Sequence, residues 1–313
     1  MEDKIEAVWS PSSPGAAFWA SREPPPWAAA WSFDEHGAWV ELVIEDGAGG
    51  WVVQRLRWIE PGTFLMGSPL GEPGRYPDEG PQHEVTISDG FWIFDTPCTQ
   101  ALWEAVMGAN PSRFQSPERP VEQVSWEDVQ VFLGRLNARV PGLALVLPSE
   151  AQWEYACRAG TDHALYSGPI EILGANDAAQ LDPIAWYGGN SAVSFELDDG
   201  YDSSDWPDIH HAGEKIGTHP VKGKQPNAWG LYDMLGNVAE WTNDTWQISY
   251  DGAPDEDISF RSEGPGANRS VRGGSCVATA RQCRCAFRNG SWPGYCLDYL
   301  GFRCVRIQDP PGP

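Results

Sequence analysis

After Ser125 the apolar residues Val129, Phe132, Leu133, Leu136 and Val140 recur at i, i+3, i+4, i+7 and i+11, the spacing that lines one face of a 3.6-residue helix. Asp128 falls in the first turn, where the peptide dipoles favour an anion. Ser149 opens a second helix: Gln152 occupies the capping-box position, and Trp153, Ala156 and Cys157 form the inward face. Thr99 starts a third through Trp103, Val106 and Met107. Tryptophans at this spacing read as core, not as a cofactor platform. Upstream, two β-like runs, Trp39 to Glu45 and Trp51 to Trp58, flank Asp46-Gly47-Ala48-Gly49-Gly50, which predicts a hairpin. From Ile59 onward Gly and Pro punctuate short segments. The pattern predicts an α+β fold with much irregular chain.

Near the C-terminus the pattern changes character. Arg272-Gly273-Gly274-Ser275 at one end and Leu300-Gly301-Phe302-Arg303-Cys304-Val305-Arg306 at the other form a frame. Inside it, short runs (Ala280-Arg281, Cys283-Arg284-Cys285-Ala286, Arg288, Pro293) alternate with chemically unrelated side chains: Val277, Ala278, Thr279, Gln282, Phe287, Asn289, Ser291, Trp292, Tyr295, Cys296, Leu297, Asp298 and Tyr299. Such a segment reads as a scaffold that displays side chains, with alternation placing the varied set on a solvent-accessible face opposite the frame arginines. Tyr295, Tyr299, Phe287 and Trp292 offer large contact area with few torsions to freeze. The ligand this suits is a protein or another macromolecule.

Composition narrows the alternatives. At 313 residues and 41% hydrophobic content the chain can bury one substantial core, or one core plus a small module. The formal charge of −23 makes nucleic acid and anionic membrane surfaces unsuitable partners over most of the surface. Locally the balance reverses, since Arg272, Arg281, Arg284, Arg288, Arg303 and Arg306 face a single acid, Asp298. No stretch approaches the ~20 apolar residues of a membrane span, and Met1-Glu2-Asp3-Lys4 does not read as a secretory signal, so the expected location is cytoplasmic. Seven cysteines without paired metal-ligand spacing read as buried reduced thiols. His210-His211 lie in a polar loop and read as solvated. Residues 1–54, with Pro24-Pro25-Pro26 and Trp9, Trp19, Trp27 and Trp31, read as an arm or small accessory subdomain. Residues 55–308 form the main domain, with 272–306 its variable region, and 309–313 a tail.

Five motifs then occur in order: Pro61-Gly62-Thr63-Phe64-Leu65-Met66-Gly67-Ser68; Pro120-Val121-Glu122-Gln123-Val124-Ser125-Trp126; Leu147-Pro148-Ser149-Glu150-Ala151-Gln152-Trp153-Glu154-Tyr155-Ala156; Asn227-Ala228-Trp229-Gly230-Leu231-Tyr232-Asp233-Met234 with Gly236-Asn237-Val238-Ala239-Glu240-Trp241; and the framed segment. Together they resemble the formylglycine-generating (sulfatase-modifying factor) domain. That resemblance implies a C-type lectin fold variant with little regular secondary structure around a small twisted antiparallel sheet. It implies for catalytic members a copper ion held by two cysteines. Here Cys283 follows Cys276 by seven positions where those members have five, their Tyr-x-Cys-His stretch is missing, and Ala239 replaces the first tryptophan of Gly-Asn-Val-Trp-Glu-Trp. The framed segment resembles the variable proteins of diversity-generating retroelements. This implies a noncatalytic binding protein with a rewritten C-terminal face, and a genomic neighbourhood holding a reverse transcriptase and a near-copy of codons 272–306. The alternatives are a copper-dependent oxidase acting on a protein cysteine and a regulatory member of the family. The resemblance further implies a structural calcium held by Asp233, the carbonyls of Gly236 and Val238, and Glu240. The open alternative for Glu240 is a buried carboxylate paired with an arginine. A second calcium site in some members resembles Asn190-Ser191 and Asp199-Gly200-Tyr201 here.

Overall fold

The computed structural model describes residues 25–256 and 266–307. Trp9, Trp19 and the 309–313 tail lie outside the described residues. The first sheet, antiparallel throughout, runs in the order β1 (Ala30–Asp34), β2 (Gly37–Glu45), β3 (Trp51–Ile59), β6 (Phe91–Phe94), β13 (Val305–Ile307). Alternation along β2 buries Ala38, Val40, Leu42 and Ile44 on one face. The predicted 46–50 turn closes the β2–β3 hairpin: Asp46 Oδ1 accepts from the Ala48 and Gly50 N–H groups at 2.8 Å each, and Gly47 and Gly49 take the positive φ the turn demands.

The boundary expected at residue 54 is corrected by this sheet. It falls inside β3, whose Leu56 and Trp58 pair with Phe94 and Trp92 of β6, so the hairpin is part of the main domain. Trp27 is buried beneath the Arg306 guanidinium, whereas Trp31 is exposed.

All three predicted helices form, and their caps explain where they begin. Thr99 Oγ1 accepts from the Leu102 N–H and starts α1 (Gln100–Met107), which stops at Gly108 in the left-handed conformation. Ser125 and Asp128 form a reciprocal capping box at α2 (Trp126–Arg139). Ser149 and Gln152 do the same at α3 (Glu150–Arg158). Helix α2 buries Val129, Phe132, Leu133 and Leu136 against the first sheet's core, where Phe132 stacks on Trp103 and Phe302 meets both rings edge-on. Helix α3 departs from an amphipathic pattern, because Glu150, Gln152, Glu154 and Arg158 are as buried as Trp153 and Ala156.

The second sheet runs β11 (Arg288–Ser291), β10 (Arg269–Arg272), β9 (Ala239–Thr245), β12 (Leu300–Gly301), with β12 parallel to β9. Two hairpins complete the strands: β4 (Gly62–Met66) with β5 (His83–Ile87), and β7 (Tyr201–Asp202) with β8 (Lys215–Ile216). Among the described residues no helix is long and apolar enough to cross a membrane.

Candidate functional site

The framed segment is fixed to the domain by four fully buried arginines, each matched to a buried carboxylate. Arg288 donates from Nε and Nη2 to the two oxygens of Glu150, at 2.7 and 2.8 Å. Arg272 pairs with Glu154 and donates to the Cys285 and Ala286 carbonyls. Arg284 pairs with Glu79 and Glu72 and donates to the Gly74 carbonyl. Arg303 donates to both oxygens of Glu240 and to the carbonyls of Phe94, Tyr232 and Asp233. Guanidinium suits this task because its fixed fork meets a carboxylate bidentately and keeps its charge when dehydrated. Although burial opposes its charge, Arg288 and Arg272 hold the Glu150 carboxyl below its usual range. Arg281 and Arg306 differ, both half-buried, Arg281 over the Tyr76 ring at 3.7 Å.

Between these clamps the chain turns instead of running as one strand. Only 288–291, 300–301 and 305–307 are extended pairs, and Ala280–Gln282 is a single 3-10 turn. The Gly273-Gly274 turn has no room for side chains: a Cβ on Gly274 would stand 2.7 Å from both the Cys283 sulfur and the Gln282 carbonyl oxygen.

This path folds the varied residues around a concavity of about 550 Å³. All the expected display residues except Thr279, Cys296 and Asp298 line it. Trp292 and Tyr295 stand 48% and 55% exposed on its rim with their rings edge-on at 5.6 Å, and Asn289 is exposed beside them. Val277, Gln282, Ser291, Leu297 and Tyr299 are half-buried in its wall. Ala239 also lines it, so the small residue standing where the family motif carries tryptophan contributes to the hollow.

The expected display face is corrected at Phe287, Ala278 and Asp298, and the expectation of seven buried thiols at Cys296. Phe287 is buried, its ring packed on Tyr76, and Ala278 is buried in the core cluster around α3, because turns and not strand alternation set their directions. Asp298 is not available for display: its carboxylate pairs with Arg113 at 2.8 Å and accepts from the Tyr201 hydroxyl. Thr279 and Gln282 share a local bond, with the Gln282 amide oxygen accepting from the Thr279 N–H and hydroxyl. Cys296 is exposed, unlike the six other cysteines, which are buried and reduced.

The calcium ligand set Asp233, Gly236, Val238 and Glu240 does not fit a cation here. Glu240 Oε1 accepts twice from Arg303, and Oε2 accepts from Arg303 and from the Trp153 indole N–H at 2.7 Å. The guanidinium already supplies the positive charge, and Asp233 accepts from the Lys222 N–H and the Asn237 amide. A metal would have to displace a buried arginine. At the second expected site Asn190 spends its side chain on Tyr187, Asp182 and Ala185, while Asp199 gives its backbone carbonyl to Arg113.

Copper chemistry would need thiolates. Burial pushes the Cys283 thiol up to about 12, and burial followed by the nearby Glu122 carboxylate raises Cys276 still further, so neither is a preformed thiolate.

Glu122, whose neighbour Gln123 donates its N–H to the Leu297 carbonyl, was not singled out as a functional position by the sequence. Its Oε1 accepts from the Phe114 N–H at 2.9 Å, and burial pushes its carboxyl up to about 8. A carboxyl whose folded pKa lies above its unfolded value of ~4.3 stabilises fully below the latter and loses that contribution as pH rises through the folded value. Stability should therefore fall between about pH 5 and 8, and Glu122→Gln should flatten that slope in urea titrations run across the range. An unchanged slope would place the Glu122 titration elsewhere.

Residues 52–308 match the sulfatase-modifying factor enzyme 1-like domain. The formylglycine-generating enzyme of Mus musculus is 30% identical over 230 residues, 71% of this chain and 53% of that protein. The chain thus spans about half the length of the curated relatives it matches. Among solved structures, PvdO from Pseudomonas aeruginosa superposes with a TM-score of 0.65 at 26% identity, covering 90% of this chain and 99% of that one. Treponema denticola variable protein 1 superposes with a TM-score of 0.63 at 27% identity, covering 86% and 99%. With the motifs, the architecture and the domain match all running through the same residues, the chain belongs to the formylglycine-generating, sulfatase-modifying factor family and has its form of the C-type lectin fold.

Proposed function

We propose that this protein is a noncatalytic binder that presents a diversified C-terminal surface to a protein or other macromolecular ligand, in the manner of the variable proteins of diversity-generating retroelements. The observation that carries this reading is the division of labour in residues 272–306. Buried arginine–carboxylate pairs hold the backbone, while chemically unrelated side chains line one concavity. Residues that only line a concavity can be exchanged without unpairing a buried charge. Exposed aromatics at the rim, Trp292 and Tyr295, are the kind of side chain that anchors macromolecular interfaces. The likeness to Treponema denticola variable protein 1 supports the same reading.

The second reading, a copper-dependent oxidase forming formylglycine, is favoured by the similarity to the formylglycine-generating enzymes. Against it stand the seven-residue interval between Cys276 and Cys283 and the burial of both thiols. The purified protein, supplied with copper, is expected to leave a Cys-x-Pro-x-Arg peptide unconverted by mass spectrometry. Turnover that disappears in Cys276→Ser or Cys283→Ser would overturn the noncatalytic reading.

A further inference from the structure

The loop between β7 and β8 carries His210 and His211 back over the turns that hold Asp177 and Asp182. Backbone bonds pin it there, from the His210 N–H to the Asn176 carbonyl (3.1 Å) and from the His211 N–H to the Gly189 carbonyl (2.8 Å). His210 Nδ1 lies 2.8 Å from Asp177 Oδ1. Nε2 of the same ring lies 3.1 Å from Asp182 Oδ2, and His211 Nε2 stands 2.8 Å from that oxygen. With an Nδ1–H donated to Asp177, His210 has Nε2 free to ligate, so two imidazole nitrogens and one carboxylate oxygen converge where a metal ion can take the place of a bridging proton.

We propose that His210 Nε2, His211 Nε2 and Asp182 Oδ2 form a site for a divalent transition-metal ion of the zinc type. The three ligand atoms lie within 4.8 Å of one another. Zinc takes imidazole and carboxylate at ~2.0–2.2 Å, which gives a tetrahedral ligand–ligand edge of about 3.3 Å. The observed separations of 2.8 and 3.1 Å need only a small opening to reach that edge. Two imidazoles and one carboxylate oxygen suit a borderline ion better than calcium or magnesium, which seek oxygen shells. The surroundings also resemble those of a metal centre. Asp177 orients His210 through its other ring nitrogen, as outer-shell carboxylates do for zinc-bound histidines. Asp182 Oδ1 accepts from the Asn190 amide at 3.1 Å, which leaves Oδ2 for the ion. His211 is 45% exposed, so the ion has an entry path, and water completes a four-coordinate shell.

Placement gives the ion a structural task. The chain around Asp177 receives the Ala280 N–H at the Ala175 carbonyl, and the Gly188 N–H donates to the Ala278 carbonyl. Closing Asp182 to His210 and His211 therefore staples the irregular segment on which residues 278 and 280 rest. This inference does not depend on the binding reading.

The test uses the full chain, stripped with chelator and titrated with zinc chloride by calorimetry, with melting curves alongside. One ion per chain and a rise in melting temperature are expected, since an ion that binds only the folded state stabilises it. His211→Ala and Asp182→Asn should each weaken binding at least tenfold while the metal-free variants melt with the metal-free parent. Asp177→Asn, which acts through His210, should weaken it about 10- to 100-fold. Cobalt(II) bound in place of zinc should show visible bands without thiolate charge transfer. Absence of saturable binding, undiminished binding in His211→Ala, or a thiolate band that vanishes in Cys296→Ser would overturn the site.

Discussion

Truncating Arg303 to alanine is expected to destabilise the domain by about 3–5 kcal/mol, the range for removing one partner of a buried ion pair. The side chain is fully buried and serves both oxygens of Glu240 together with three backbone carbonyls. Without it, among the described residues Glu240 keeps the Trp153 indole N–H, and a buried carboxyl loses its counter-charge. Against a typical total stability of ~5–15 kcal/mol, such a loss leaves the variant marginal at physiological temperature. Arg303→Lys should recover only part, because a single ammonium cannot reproduce the forked contact to both oxygens. Pairing Arg303→Met with Glu240→Gln removes both charges and should recover more stability than Arg303→Ala alone retains. Urea denaturation of the four proteins measures these differences, and a loss under about 1 kcal/mol for Arg303→Ala would mean that the frame is not held by its ion pairs.

How much of this was legible in the sequence follows from how local each cause is. Thr99, Ser125 and Ser149 announce their helices because a cap and its partner lie three residues apart. The β2–β3 hairpin is legible for the same reason, since Asp46 closes its own turn. The carboxylates that receive the frame arginines are not local. Glu240 lies 63 residues from Arg303, Glu150 lies 138 from Arg288, and Glu79 lies 205 from Arg284. Glu150 and Glu154 stand in a motif that reads as an ordinary helix start, and nothing in their spacing reports that their helix is buried on every side. The pairing of Glu240 with an arginine, the open alternative to calcium, is hidden for the same reason. Only the parallel pairing of β12 with β9, Gly301 opposite Glu240, brings the arginine two residues later onto that carboxylate. Phe287 and Ala278 were misplaced because each closes a turn, the Phe287 N–H on the Arg284 carbonyl and the Ala278 N–H on the Ser275 carbonyl, and strand alternation does not set their directions. Asp182 and His210 meet through irregular loops that leave no periodic trace.

Wholesale replacement of the concave face is expected to leave the fold intact and to change only what it binds. Val277, Asn289, Ser291, Trp292, Tyr295, Leu297 and Tyr299 line the hollow, each half-buried or exposed and none holding a frame arginine, with Leu297 and Tyr299 also packed against the core. The five positions away from the core usually move stability by no more than about 0.5 kcal/mol each and the two core-packed ones by more when made polar, in contrast to the 3–5 kcal/mol expected at Arg303. For a ligand seated in the hollow, Trp292→Ala or Tyr295→Ala should cost about 2 kcal/mol or more of binding, roughly thirtyfold in affinity, if these rim aromatics act as anchors. The same substitutions should barely shift the melting curve.

The most direct measurement randomises those seven codons together, selects the resulting pool against one chosen folded protein, and records melting curves of both selected and unselected clones. A display scaffold predicts that most unselected clones unfold cooperatively within about 5 °C of the parent, and that saturable binders emerge whose affinity is lost when their residues at 292 and 295 are replaced by alanine. Pools that lose cooperative unfolding, or folded pools from which no binder can be selected, would contradict the claim that this face exists to vary and to bind.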